Sequence, residues 1–135
     1  MHNHILPLII TACIISGCNV ASAPTQWQKK MTSANGHYQA VLSCTTMPSV
    51  GRFQDCQVTF EATQGETAGI KAVQIEGGMP HHGHGLPTSP VMQPQDIPDT
   101  YYIEGLKYTM YGAWLLGFKV SGTAGDDKII FDFVI

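Results

Sequence analysis

The residues best suited to chemistry lie in a segment rich in glycine, proline and histidine, residues 77–90. His82 and His84 are two positions apart, so an extended backbone would project both imidazoles to the same side. Imidazole binds copper and zinc well, and the thioether of a nearby methionine, Met79, favours Cu(I) in particular. The segment therefore predicts a metal site, with copper the favoured ion, in which Met79, His82 and His84 are ligands.

A second methionine, Met110, precedes the strongest predicted strand and is the fourth candidate ligand. In a sandwich fold it would approach the same end as the histidine segment. His81 would point away from His82 in an extended chain and is a weaker candidate. The alternative is a structured surface loop, with its histidines bonded to backbone or solvent and Met79 packed in the core. The residue types alone leave both alternatives open.

Two blocks of this region resemble a known family. The stretch GMPHHGHGLPT, residues 78–88, looks like the signature of YtkA-like domains, which are related to FixH-like proteins. The later stretch YIEGLKYTMYGAW, residues 102–114, is similar to the second block of that family. The resemblance covers roughly residues 58–135 and implies an exported, immunoglobulin-like β-sandwich, with copper handling or oxidase assembly in some relatives. The positions that match the motif are Met79, His82, His84 and Met110, together with Trp114 as a packing residue.

These observations lead to two functional hypotheses. The first is a metal-binding module that stores, buffers or passes on copper. The second is a non-catalytic interaction domain of the cell envelope, without metal, that binds another envelope protein. In that case the histidine segment and three tyrosines, Tyr101, Tyr102 and Tyr111, would form the binding surface.

Enzyme activity is not expected. The pair His82 and His84 resembles the first metal motif of cupins, but Thr88 stands where that motif has glutamate. His84 is also the last histidine of the sequence, so the further histidine of a cupin site is missing. The sequence has no strand-turn-helix nucleophile elbow either.

The first 17 residues predict a lipoprotein signal peptide. The apolar run 5–15 is shorter than the roughly 20 residues that a membrane-spanning helix needs. It leads into the sequence Ile15-Ser16-Gly17-Cys18, which resembles a bacterial lipobox, so we expect cleavage before Cys18 and lipid attachment, including palmitate, at its thiol. Cleavage after Ala23 is the weaker alternative, because Pro24 would follow the scissile bond. Both alternatives predict export.

Asn19 follows the predicted lipid-bearing cysteine. By resemblance to Gram-negative lipoproteins, this residue favours the periplasmic face of the outer membrane. The polar residues 18–36 have no sustained period and predict a tether between the lipid anchor and the domain. The domain itself is predicted over residues 37–135.

The other cysteines fit an exported domain. Cys13 and Cys18 belong to the predicted signal and lipobox, which leaves Cys44 and Cys56 in the folded part. Both lie on the inward faces of predicted consecutive strands, and an oxidising compartment favours a disulfide between them. A metal or redox pair is the alternative, although the eleven residues between the two cysteines match no C-x-x-C pattern.

Apolar residues alternate with polar ones throughout the predicted domain. The pattern is clearest in residues 38–44, 56–60, 114–120 and 128–135, and period two is the signature of a half-buried strand. Glycine and proline clusters separate these runs, and no helical period occurs outside the signal. The sequence therefore predicts an all-β, immunoglobulin-like antiparallel β-sandwich of six or seven strands, with a small closed barrel as the alternative.

Composition limits the remaining possibilities. A chain of 135 residues has room for one domain of ordinary size. Its formal net charge of −3 comes from ten acidic and seven basic residues. Proteins that bind nucleic acid carry a clustered basic footprint, so no nucleic-acid partner is expected.

Overall fold

The computed structural model describes residues 27–65 and 67–135. The predicted signal peptide, Cys18 and the first part of the predicted tether lie outside the described residues. Two antiparallel sheets form a sandwich around one core, which confirms the predicted fold class. Within the described residues, no helix has the length and apolar character needed to cross a bilayer.

Nine strands are present in the described residues, rather than six or seven. They are β1 (Trp27–Thr32), β2 (Tyr38–Cys44), β3 (Cys56–Ala62), β4 (Ala72–Met79), β5 (His84–Gly85), β6 (Val91–Pro94), β7 (Thr100–Glu104), β8 (Ala113–Gly122) and β9 (Gly125–Val134). One sheet has the order β1-β2-β3-β7-β6, and the other has the order β5-β4-β8-β9.

The core forms because alternate side chains of each long strand point to the same face. In β8 the inward residues Trp114, Leu116, Phe118 and Val120 are all buried. Facing them across the sandwich are inward residues of β2 and β3, with Phe60 meeting Phe118 at a ring-centre distance of 5.8 Å. The period of two in the sequence therefore predicts both the strands and the side that each one buries.

The predicted disulfide between Cys44 and Cys56 is present. The two residues lie directly opposite each other at the ends of β2 and β3, with their Cα atoms 4.1 Å apart. The bond therefore links neighbouring strands of one sheet, and it closes the base of the loop formed by residues 45–55.

The predicted tether over residues 18–36 is wrong for its second half. Residues 27–32 form β1, which pairs with β2 from Trp27 opposite Cys44 to Thr32 opposite Gln39. Trp27 packs on Phe133, with ring centres 5.5 Å apart. The folded domain therefore includes Trp27 and does not begin at residue 37. The segment looked like a tether because β1 is an edge strand, where polar side chains are common.

Strand directions define two ends of the sandwich. We call the end where β1 begins the proximal end, and the opposite one the distal end. The proximal end contains the loops 45–55 and 105–112, the histidine segment and Ile135. The distal end contains the connections 33–37, 63–65 with 67–71, and 95–99, and the β8–β9 turn.

A buried carboxylate fixes the distal end. Asp127 accepts hydrogen bonds from the backbone N–H groups of Asn35, His37 and Lys128, at 3.0, 3.2 and 2.8 Å. Burial alone would raise the pKa of Asp127, but the hydrogen bonds outweigh burial, with that from the Ser33 hydroxyl the strongest. The pKa of this carboxyl therefore lies below its ordinary value.

The lowered pKa of Asp127 implies that part of the free energy of unfolding is lost in acid. Because its pKa is lower in the folded chain, the carboxylate stabilises the fold above the unfolded pKa of about 3.9. That contribution is lost as the pH falls through the folded-state pKa. We expect Asp127→Asn to lower the free energy of unfolding by about 1–3 kcal/mol near neutral pH. Urea unfolding at a series of pH values should show this gap narrowing below about pH 4, and a gap independent of pH would contradict the prediction.

Candidate functional site

The histidine segment is a tight turn at the proximal end. Strand β4 ends at Met79, and Pro80–His82 form one turn of 3-10 helix. Gly83 then takes the left-handed conformation with φ 64°, and β5 runs back along the end of β4. Proline fits the first position of such a turn, and glycine fits the left-handed residue that ends it. The segment is therefore held by backbone geometry that its glycines and proline favour.

Close backbone approach makes Gly78 essential to this turn. Its φ is +150°, a region that other residues rarely adopt. A Cβ atom at this position would lie 2.0 Å from the backbone oxygen of His84. A side chain at residue 78 would therefore push β5 away from β4.

The structure brings His82 and His84 close together. Both side chains are exposed, and their ring centres are 6.3 Å apart. Two imidazoles that share an ion, with metal–nitrogen distances near 2.0 Å, have ring centres about 5–6.5 Å apart. The prediction assumed an extended backbone through both residues, which is wrong because His82 belongs to the 3-10 turn. The turn nevertheless leaves the two rings at a separation that suits a common ion.

Met79 lies in the core. It is fully buried, and its methyl carbon lies 2.8 Å from where a Cβ of Gly112 would be. This position agrees with the alternative in which Met79 packs the core beneath the turn. The sequence contained the signal, because Met79 is in phase with Val73 and Ile75 on the inward face of β4.

Met110 lies at the proximal end, as the histidine segment does. Its side chain is 38% exposed. Its backbone carbonyl accepts a hydrogen bond of 3.0 Å from the indole N–H of Trp114, which fixes the loop 105–112. Among the described residues, no three His, Cys, Asp or Glu side chains form a metal-binding group.

A groove that the sequence did not predict lies beside the His84 imidazole. It has a volume of about 330 Å³ and runs along the outer face of β4, β8 and β9. Its proximal part is lined by His84 and Pro80, and its distal part by Glu76 and Lys128. Gly117 lines the groove on the outer face of β8, where the absence of a side chain leaves space. A glycine at an outward position of a strand is the feature of the sequence that could have indicated this groove.

The distal part of the groove carries a small ion-pair network. Glu76 is 2.8 Å from Lys119 and also contacts Lys128. Hydrogen bonds from Lys119 and then Lys128 lower the pKa of the Glu76 carboxyl. The groove thus has fixed charges at one end and the His84 imidazole at the other.

The three tyrosines of the second hypothesis do not form one exposed surface. Tyr101 and Tyr102 are half-buried on β7, and Tyr101 packs on Phe60 with ring centres 6.1 Å apart. Tyr111 is 77% exposed at the proximal end. A protein-binding surface at this end would therefore use Tyr111 without the other two.

Comparison with known protein families, with curated proteins and with solved structures found no match for this chain. The resemblance to YtkA-like domains therefore stays a prediction, and it depends on the two sequence blocks around the histidine segment and Met110.

Proposed function

We propose that the chain is an exported, lipid-anchored module of the cell envelope that binds copper through His82 and His84 and performs no catalysis. The observation that supports the copper site is the 6.3 Å separation of the two exposed ring centres. Imidazole is a good ligand for copper. Bound in this way, the ion would be stored, buffered or passed to another envelope protein.

The two methionines have different parts in this proposal. Met110 is partly exposed at the same end and is retained as a further candidate ligand. Met79 is fully buried, so its thioether would have to leave the core to reach an ion at the imidazoles. We therefore assign Met79 to packing beneath the turn.

The proposed export and lipid anchor depend on the apolar run and the lipobox before Cys18. The Cys44–Cys56 disulfide supports an oxidising compartment, since disulfides are rare in the cytosol. Mass spectrometry of protein purified from bacterial membranes tests the anchor. A mature chain beginning at Cys18 with the added mass of acyl chains would support it, and an unmodified thiol would overturn it.

Copper binding is tested by titrating Cu(I) into the purified protein under reducing conditions in a calorimeter. We expect the double variant His82→Ala/His84→Ala to lose at least about tenfold in affinity, equivalent to 1.4 kcal/mol. Affinity should also fall at acid pH, because metal ligands must be deprotonated.

Matched single variants make this test specific. His81 is exposed in the same turn, so His81→Ala should leave the affinity unchanged if His82 and His84 are the ligands. Met79→Leu keeps the buried volume and should also bind as the parent does. Equal stoichiometry and affinity in the double histidine variant would overturn the copper proposal and leave the interaction-domain hypothesis.

A further inference from the structure

The exposed apolar side chains are concentrated at the proximal end. Eight large apolar side chains of the described residues are exposed, and two of them, Ile97 and Ile130, lie away from this end. Five of the others form what we call the apolar rim: Met47, Phe53, Met110, Tyr111 and Val134. This concentration at one end differs from the singly scattered apolar residues of an ordinary surface.

The segments that carry the apolar rim are held in fixed positions, because backbone contacts join them. Phe53 pairs with Lys107 in a β-bridge, and the Lys107 ammonium lies 5.3 Å from the centre of the Phe53 ring. On the other side, Gly112 and Ile135 exchange two backbone hydrogen bonds of 2.9 and 3.0 Å, next to Val134. The loops 45–55 and 105–112 and the end of β9 therefore hold one another in place.

Charge differs between the two ends of the sandwich. The loops of the apolar rim contain Arg52 and Lys107 against one acidic residue, Asp55. At the distal end the acidic residues Asp96, Asp99, Asp126 and the buried Asp127 outnumber two basic residues, Lys71 and Lys128. An anionic surface would therefore attract the proximal end and repel the distal end.

The position of the predicted anchor identifies the surface that this end would meet. Eight residues separate Cys18 from Trp27, and even a fully extended chain of this length reaches at most about 30 Å. Trp27 enters the fold at the proximal end. A lipid at Cys18 would therefore hold the apolar rim near a bilayer at a high effective concentration.

We propose that the apolar rim docks on the lipid surface to which the chain is anchored. This inference rests on the proposed lipid anchor. The ring of Tyr111 would lie at the headgroup level, where amphipathic aromatic side chains are enriched, and the apolar ring of Phe53 would enter the boundary between headgroups and acyl chains. The aliphatic stem of Lys107 would lie along the same interface with its ammonium toward the lipid phosphates. Docking would fix the orientation of the domain, with the His82–His84 turn beside the bilayer and the acidic distal end facing away.

Fluorescence quenching by brominated lipid tests this orientation. The full chain, purified from membranes, is reconstituted in vesicles of phosphatidylethanolamine and phosphatidylglycerol with phosphatidylcholine brominated near the headgroup end of its acyl chains. Tyr111→Trp adds a fluorophore to the apolar rim, and Ile97→Trp adds one to an exposed distal position as the matched control. We expect loss of most of the fluorescence added at residue 111 and no loss of that added at residue 97.

Each outcome decides the proposal. Equal quenching at the two positions, or none at residue 111, would overturn docking and would favour a protein partner for the apolar rim. Phe53→Trp provides a second reporter in the rim, so a folding defect in one variant does not end the test. The mass of the purified protein reports the anchor separately. A lipid-bearing chain that shows no quenching would support the anchor and overturn docking. Quenching of a chain without the added lipid mass would overturn the anchor and support contact between the apolar rim and the bilayer.

Discussion

Trp114→Ala is expected to lower the free energy of unfolding by about 3–5 kcal/mol, the usual effect of removing a large aromatic side chain from a core. Trp114 is 1% exposed and packs on Tyr108 with ring centres 4.9 Å apart. Its indole N–H also bonds to the carbonyl of Met110. Truncation would therefore leave a cavity and free the loop that carries part of the apolar rim.

Urea unfolding followed by circular dichroism measures the effect of this change. Trp114→Phe is the matched control, because it keeps an aromatic ring in the core and removes the N–H donor. We expect the phenylalanine variant to lose about 1–2 kcal/mol, from the lost hydrogen bond and the smaller volume. A loss below about 1 kcal/mol for Trp114→Ala would contradict the position of this residue at the centre of a packed core.

The double variant Cys44→Ala/Cys56→Ala is expected to lose about 3 kcal/mol of unfolding free energy. The two cysteines are separated by 12 positions, and in the chain-entropy model closing a loop of that size removes entropy from the unfolded chain and raises its free energy by about this amount. Both cysteines are buried, and alanine places another small apolar side chain at each position. The same urea series, without reductant, measures the loss.

Reduction provides the control for this prediction. With an added thiol reductant, the parent protein should become nearly as unstable as the double variant, whose stability should not change. A parent protein that is equally stable with and without reductant would show that the disulfide contributes nothing to folding.

The sequence predicted the long strands well because apolar residues recur at every second position over most of their length. In β8 every second residue from Trp114 to Val120 is apolar and buried, and in β9 the same face carries Ile129, Phe131 and Phe133, so the pattern determines both strands and their inward faces. The cysteine pair was predicted for the same reason, since Cys44 and Cys56 continue the inward faces of β2 and β3. Local pattern and tertiary structure agree wherever a strand has one buried side.

The strands that the sequence missed lack this agreement. Strand β1 alternates half-buried with exposed residues and carries Lys29 and Lys30, so it resembled a tether. Strand β5 has two residues, and β6 has four and ends in Pro94. Such short strands exist because neighbouring strands pair with them, which is a property of the tertiary structure.

The sequence predicted which residues belong to the candidate site, but it did not predict the backbone conformation that positions them. The type and spacing of His82 and His84 identified the histidine segment, and the strand directions bring it to the same end as Met110. The 3-10 turn was missed because three residues, Pro80–His82, are too few to show a period. The groove was missed because its outer-face lining combines the β8–β9 hairpin with β4, which lies much earlier in the sequence.

The position of β1 also bears on self-association. Unpaired strand edges act as templates for adding another chain, and a long flat edge is the most hazardous. The longest edge strand is β9, with 10 residues. Two hydrogen bonds cover part of its unpaired side. The Lys29 ammonium on β1 donates to the carbonyl of Asp132, and the backbone N–H of Ala34, in the turn after β1, donates to the carbonyl of Lys128.

Two of the other edges of the described sandwich are poor templates for different reasons. Strand β1 carries two consecutive lysines, and β6 ends in proline. Charge and a missing N–H donor each discourage edge-to-edge pairing. On the remaining edge, β5 pairs only with Gly78 and Met79, so residues 72–77 of β4 have no described strand beside them on that side. The segment that resembled a tether therefore shields β9, so that copies crowded on one surface would have one long edge fewer through which to aggregate.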